Sequence, residues 1–365
     1  MVKELKIFAL GGNEISPAGI FDMNTGKFVF PSLSEQWKRT SKTCDLLAKI
    51  IHDAPDEYYI ITHGNGPQVG NLLMNSNNSD LSSEIDICDA DTQGSMGYML
   101  SQLTNSLSIL GIKKIAAETI SKVVVDENDP AFLSPSKFIG PSVTQKDAFE
   151  MQQKENRPYM FYKKDGNGVE LWRWVVPSPE PIDIIETDII EANLIAGNIP
   201  IAVGGGGIPV IKIKPEITDG YEIYRCKFGI KYSRKFSSNN LPVNIYSGVN
   251  AVIDKDLSSS LLGIKLLKKM RARGEKINAE FFIFTDIDGV KLNYQQRDQI
   301  DLRHLSLNEV RKLYNENIFP AGSMGPKIKA AINFLEGGGR RVIISNSDLY
   351  EETLNGKAGT IIEEN

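Results

Sequence analysis

Three short apolar runs in this chain each stop on glycine. Residues 5–10 lead into Gly11-Gly12-Asn13, residues 58–62 into His63-Gly64-Asn65-Gly66-Pro67-Gln68, and residues 199–203 into Gly204-Gly205-Gly206-Gly207-Ile208-Pro209. Runs of this length bounded by glycine read as buried strands. One glycine loop does not mark a ligand site, because any backbone that needs positive φ recruits glycine. Three at strand ends constrain the chain much more. In open α/β sheets ligands sit outside the carboxyl ends of the strands. The loops are therefore expected to converge on one site and to offer backbone N–H groups to an anion.

The sequence between them alternates helical and strand patterns, which points to an α/β fold. Helical spacing covers residues 34–52, with Leu46, Leu47, Ile50 and Ile51 on one side, and residues 93–110. It returns at 254–269, at 306–315 and at 327–335. Ser306 and Glu309 stand at the two positions of a capping box. Further strands are expected at 281–285, 341–345 and 360–362. A chain of 365 residues exceeds the size at which one core usually keeps growing, so two lobes are expected. Two stretches break the rhythm. Residues 129–176 are rich in Pro, Gly, Lys and aromatics and read as a small protruding subdomain. Residues 213–246 alternate polar and aromatic positions and read as one or two β-hairpins.

Composition removes several function classes. The net charge is -5, without a basic run, which argues against nucleic acid as partner. Residues 1–6 lead directly into a strand, and no apolar stretch approaches the roughly 18 residues of a membrane helix. No membrane association and a reducing cytoplasm are expected. Cys44, Cys88 and Cys226 have neither disulfide nor metal-ligand spacing and read as packing residues. His52, His63 and His304 are too scattered for zinc. His63, beside a glycine loop, either positions a ligand or holds the loop by a backbone hydrogen bond.

Three lysines stand in settings suited to phosphate. Lys137 lies in Pro135-Ser136-Lys137-Phe138-Ile139-Gly140-Pro141, Lys255 in Val252-Ile253-Asp254-Lys255-Asp256, and Lys327 in Ala321-Gly322-Ser323-Met324-Gly325-Pro326-Lys327. Asp254 can cap the helix that follows it, and Asp256 can brace a nearby ammonium. Lys327 in a first turn opposes the helix dipole, which a sequence tolerates when an anion is at hand. Gly64-Asn65-Gly66 is expected to open a helix near Pro67, a favoured first helical position. A Walker motif is absent, and Gly64, Gly66 and Gly70 miss the dinucleotide spacing by one residue. Asp286 and Asp288 follow a strand; they suit Mg²⁺, a ribose or only an Asx-turn, and no residue is assigned to a metal on this basis.

In combination these segments resemble the carbamate kinases of the amino-acid kinase superfamily. Ala9 to Asn13, Thr62 to Gly70, Thr92 to Tyr98, Asp126 to Phe132, Val175 to Pro181, Ala251 to Leu257, Thr285 to Asp288 and Ala321 to Lys327 follow in family order over nearly the whole chain. The resemblance implies reversible phosphoryl transfer, ATP plus carbamate to ADP plus carbamoyl phosphate, with Mg²⁺ accompanying the nucleotide and commonly in the direction of ATP. It implies a three-layer α/β/α sandwich with a mainly parallel open sheet, and a homodimer. Residues 1–200 would form the lobe for carbamate or carbamoyl phosphate, with 129–176 protruding, and residues 201–365 the nucleotide lobe, with 213–246 inserted.

By motif match, Gly11, Gly12, Asn13, Gly64, Asn65, Gly66, Gly204 and Gly205 would hold the transferring group and its acceptor. Lys137 would reach in from the subdomain. Lys255 and Lys327 would bridge the ATP phosphates, with Asp256 orienting them. Asp286, Asp288 and Met324 would line the nucleotide pocket. Four departures bear on the acceptor. Glu14 stands where a small residue is usual, and Trp174 where a second Arg often follows Arg173. Residues 15–31 are long enough to cover the first glycine loop, and residues 213–246 are an insertion. They keep open a kinase acting on another small carboxylate. A non-catalytic nucleotide-binding regulator is a further alternative, although it should have lost a lysine or a glycine loop.

Overall fold

The computed structural model describes residues 2–17, 19–22, 27–66, 72, 84–155, 157–166, 168–320 and 324–364. Eight strands form one sheet: β1 Lys3–Leu10, β2 Tyr58–His63, β3 Ala116–Thr119, β4 Ile199–Ala202, β5 Ile277–Phe284, β6 His304–Ser306, β7 Arg341–Ser345 and β8 Thr360–Glu363. Their spatial order is β6-β8-β7-β5-β1-β2-β4-β3. Every neighbouring pair is parallel except β7 with β8. Ile7 in β1 is in register with Phe281 on one side and Ile60 on the other.

Sheets covered on both faces use near-continuous apolar strands, and the alternation of side chains sorts them into two cores. Leu5, Ile7, Ala9, Ile60, Phe281 and Ile283 point to one face. Phe8, Leu10, Tyr59, Ile61, Phe282 and Phe284 point to the other. Helices α3 (Lys255–Ala272) and α4 (Met324–Glu336) cover the first face, and α1 (Leu33–Asp53) and α2 (Ile85–Leu100) the second. The result is a three-layer α/β/α arrangement. The expected lobe boundary between residues 200 and 201 falls inside β4, within this continuous sheet. No helix of the described residues is long and apolar enough to cross a membrane.

Local signals place the helix starts. Ser32 and Glu35 form a capping box ahead of α1, and Ser306 and Glu309 form another ahead of Leu307–Asn315. The Asp254 carboxylate accepts from the Asp256 N–H at 2.9 Å and caps α3. The helix expected over 93–110 differs. It begins eight residues earlier, at Ile85, and breaks after Leu100, with a second helix over Leu103–Ile109. The early part escapes the apolar pattern because its inward positions, Asp86 and Asp89, are polar yet buried. Helix α4 starts at Met324, with Pro326 already in its first turn. Residues 321–323, and the helix start expected near Pro67, lie outside the described residues.

The two irregular stretches are both β-rich. Lys137–Thr144, Glu170–Val176 and Tyr159–Lys164 form an antiparallel sheet, with helix Gln145–Glu155 against it. Its small core gathers Ile139, Ala148, Tyr159, Trp174 and Val176, together with Ile85 and Cys88 of α2 and Val252. The Arg157 guanidinium lies 4.4 Å from the Trp174 ring centroid, so Trp174 belongs to that core. The 213–246 stretch makes two hairpins that share a strand: Glu216–Thr218, Tyr221–Arg225 and Lys231–Lys235. In the 15–31 segment, strands Ile20–Asp22 and Lys27–Val29 pair as a hairpin; residues 18 and 23–26 lie outside the described residues.

Candidate active site

Strands β1, β2 and β4 are neighbours, so their carboxyl ends deliver the three glycine loops to one place. A side-chain carbon on Gly12 would sit 3.1 Å from the Gly66 Cα, and one on Gly64 would sit 3.5 Å from Lys255 Cδ. Gly205 adopts φ +67°, and a Cβ there would lie 1.9 Å from the Asn65 Oδ1. The loops touch so closely that a side chain would fill the space between them.

Asn65 is fixed rather than free. Its amide donates to the Asp89 Oδ1 at 2.6 Å, and its carbonyl accepts from the Thr92 hydroxyl at 2.9 Å. Burial pushes the Asp89 carboxyl well above the ordinary aspartate value. Asp89 was not legible as a site-supporting residue; the only signal is an aspartate at an inward helical position. The His63 ring is fully buried, with Nδ1 3.1 Å from the Gly64 carbonyl.

Lys255 and Lys327 meet at a single carboxylate. Lys255 Nζ donates to Asp256 Oδ1 and to the Ala9 carbonyl at 3.4 Å, while Lys327 Nζ donates to Asp256 Oδ2 at 2.9 Å. Lys137 reaches from the subdomain and donates to Asp254 Oδ2 at 2.6 Å. A cavity of about 200 Å³ is bounded by Gly64, Asn65, Gly66, Gly205 and all three lysines. Burial would raise the Asp256 carboxyl, but the Lys255 and Lys327 ammoniums outweigh it and hold it far below the usual carboxylate range. Burial likewise opposes ionisation of Asp254, and Lys137 reverses that. Burial, with repulsion from Lys327, pulls Lys255 below the ordinary lysine value. Lys327 is desolvated too, yet Asp256 and Asp254 hold it above that value. Three ammoniums against two carboxylates leave the pocket positive, as an anion requires.

A second cavity, of about 270 Å³, lies on the far side of Lys327 and is lined by Asp286, Ile287, Tyr294, Phe319 and Met324. Its walls are largely apolar and aromatic, which suits a planar ring system. Asp288 is not among its lining residues. It pairs with Lys291, which does line the cavity, at 2.8 Å and with Arg303 at 3.6 Å, in an ion-pair cluster that flanks the pocket. Gly11 packs on the Phe284 carbonyl, and the Asn13 carbonyl accepts from Arg39 at 2.6 Å. Glu14 is buried and turned to Arg39 at 3.1 Å and to the Ser347 hydroxyl at 2.8 Å. Its charge is therefore matched.

The model of the amino acid kinase family matches residues 270–346. The chain is 35% identical over 361 residues to the carbamate kinase of Thermococcus kodakarensis, covering 97% of each. It is 38% identical over 317 residues to that of Thermoplasma volcanium, covering 86% of this chain and 88% of the other. Among solved structures, carbamate kinase from Giardia lamblia bound to AMP-PNP superposes with a TM-score of 0.72 at 28% identity, covering 100% of this chain and 99% of that one. At this identity and coverage, the chain belongs to the carbamate kinase family.

Proposed function

We propose that this protein catalyses reversible phosphoryl transfer between ATP and carbamate, running mainly from carbamoyl phosphate and ADP toward ATP. The observation that carries this reading is the shared carboxylate Asp256. It holds Lys255 and Lys327 together where the glycine-lined cavity meets the cavity of Asp286 and Met324. A nucleotide with its base in the second cavity would place its terminal phosphate between the two ammoniums. Carbamate would then lie among the backbone N–H groups of the glycine loops, beside Asn65.

Phosphoryl transfer asks the protein mainly for positioning and charge stabilisation. Lys255 and Lys327 neutralise charge building on the transferring group. Asp256 keeps both ammoniums aimed and ionised. Lys137, released from Asp254, would complete the clamp over the acceptor. Gly11, Gly12, Asn13, Gly64, Gly66, Gly204 and Gly205 form the cradle. Carbamate is already an anion, so no general base is needed.

Among the described residues, no three His, Cys, Asp or Glu side chains gather as a ready-made metal cage. A Mg²⁺ ion accompanying the nucleotide would take most of its oxygens from phosphates and water. Asp286, which lines the second cavity with Lys327, is the carboxylate we assign to it. Bound Mg²⁺ would supply charge neutralisation along the phosphates.

Residues 1–200 would contribute chiefly to the acceptor side and residues 201–365 to the nucleotide side. The family resemblance supports a homodimer in the cytoplasm, tested by light scattering and cell fractionation. Glu14 and Trp174 gave the alternative acceptor its motive, and neither lines the cavities. The test is ATP formation from carbamoyl phosphate and ADP in a coupled assay. Turnover is expected. A clear preference for another acyl phosphate would move the acceptor assignment, and ADP binding without any turnover would favour a regulator.

A further inference from the structure

The 213–246 stretch lines neither cavity, yet one of its side chains reaches the elements that build the site. Lys227 stands at the turn between Tyr221–Arg225 and Lys231–Lys235. This turn has an uncommon shape, with Phe228 at φ +58° and Gly229 at φ +73°. A bulky residue in the left-handed region is strained and persists only where its surroundings fix it. Here the Lys227 N–H donates to the Ser247 hydroxyl at 2.9 Å, which fastens the turn to the main body.

The start of α2 needs a cation. Glu84, Asp86 and Asp89 crowd its first turn, and both aspartates are buried. A helix N-terminus favours negative charge, but buried carboxylates without a partner are unfavourable. Among the described residues, Lys227 is the only cation within ion-pair reach of any of the three. Its ammonium donates to Glu84, to Asp86 Oδ1 at 2.6 Å and to Asn250 Oδ1 at 3.3 Å. Asn250 Oδ1 also accepts from the Ile85 N–H at 3.0 Å, so the same node satisfies a free donor of the helix end. Backbone closes the other side of Asp86: a Cβ on Gly248 would meet its Oδ2 at 1.8 Å. The Lys227 side chain is 21% exposed, so its pairs are shielded from water more than ordinary surface pairs are.

Asp89, three residues beyond Asp86, holds the Asn65 amide in the glycine cradle. We infer that Lys227 is a positioning residue for the acceptor side of the site. It anchors the first turn of α2 through Glu84 and Asp86, and thereby sets where Asp89 holds Asn65. The 213–246 hairpins act as a strut behind the cradle. This inference rests on the kinase reading for its effect on activity, but not for its effect on the helix.

Amide hydrogen exchange and steady-state kinetics on the full-length protein test the two effects separately. In Lys227→Met, the amides of residues 85–92 should exchange about 10-fold faster or more, while those of β1 and β2 keep their wild-type rates. kcat/KM for carbamoyl phosphate should fall by about 3- to 10-fold, the scale of a slightly misplaced binding group, with ADP affinity unchanged. Lys227→Arg, which keeps the charge, should recover most of the loss. Added to Asp89→Leu, Lys227→Met should cost nothing further, because both act through Asn65. A lysine that only stabilised the fold would lower the thermal midpoint and give losses that multiply. A folded Lys227→Met with unchanged exchange over 85–92, with unchanged kcat/KM, or with a double-variant loss equal to the product of the single losses overturns the inference. If Lys227→Met does not fold, the Glu84→Gln/Asp86→Asn double variant releases the same tie from the helix side and is judged by the same readouts. Wild-type protein that makes no ATP, with the exchange result intact, would instead sink the kinase reading and leave the tie standing.

Discussion

Lys255 and Lys327 differ from Lys137 in what stands behind them. The first two rise from long helices seated on the main sheet, and their side chains are 11% and 19% exposed. Lys137 begins a strand of the small protruding sheet, and its side chain is 34% exposed. Its carboxylate partner, Asp254, belongs to the main body, so the ion pair ties the two bodies together across the cavity. The proposed nucleotide side of the site is therefore built in advance, whereas the proposed acceptor side is finished by a small sheet that shares its core with Ile85, Cys88 and Val252 of the main body. Preorganised charge is what lowers the barrier of phosphoryl transfer. The comparison predicts unequal effects for lysines that look equivalent in sequence.

The sharpest break comes from Lys327→Ala, which removes charge from the junction and leaves Asp256 with one partner. It should lower kcat for ATP formation by about 10³-fold or more, in line with loss of a charged group that stabilises this kind of transition state. Lys137→Ala should fall roughly 10- to 100-fold. Its loss should appear in kcat/KM for carbamoyl phosphate, with ADP affinity by calorimetry unchanged. Equal losses in ADP affinity would erase the distinction between the two sides. Asp89→Leu should cost about 10-fold in the same parameter, because a freed and unpaired Asn65 amide corresponds to about 1–3 kcal/mol.

Acid should reach the tie between the bodies. Asp254 in the folded chain lies below its ordinary value of 3.8, and so does Asp256. Their contribution is complete above that ordinary value and is lost as pH falls through the lower folded values. Thermal midpoints of the ligand-free protein should hold through neutral pH and drop below about pH 4, less steeply in Asp254→Asn. The smallest effect is expected at the flanking cluster. Asp288→Asn should shift stability by about 1 kcal/mol or less, as for exposed ion pairs, and should leave ADP affinity intact. A large loss of ADP affinity would give Asp288 a direct part in nucleotide binding.

Much of the frame is legible in the sequence for physical reasons. Strand β7 carries Val342, Ile343 and Ile344 in a continuous run because both its faces are buried, and the Ser306 capping box is a local signal that needs no tertiary context. The glycine loops are legible as strand ends, and their contact follows from strand order. Legibility fails where polar residues are buried in pairs. The first half of β5 contains Glu280, buried against Arg340 and against Arg341 at 2.5 Å, so the strand looks shorter than it is. The start of α2 hides Asp86 and Asp89 in the same way. Glu14 reads in sequence only as a carboxylate where a small residue is usual, because its partners Arg39 and Ser347 come from distant parts of the chain.

The central claim is that this positive, glycine-lined cavity passes a phosphoryl group to ADP. Wild-type protein mixed with carbamoyl phosphate, ADP and Mg²⁺ should form ATP in a hexokinase-coupled assay, and Lys327→Ala should not at comparable rates. Folded wild-type protein that binds ADP yet forms no ATP, or a Lys327→Ala protein that turns over like the wild type, would contradict the account.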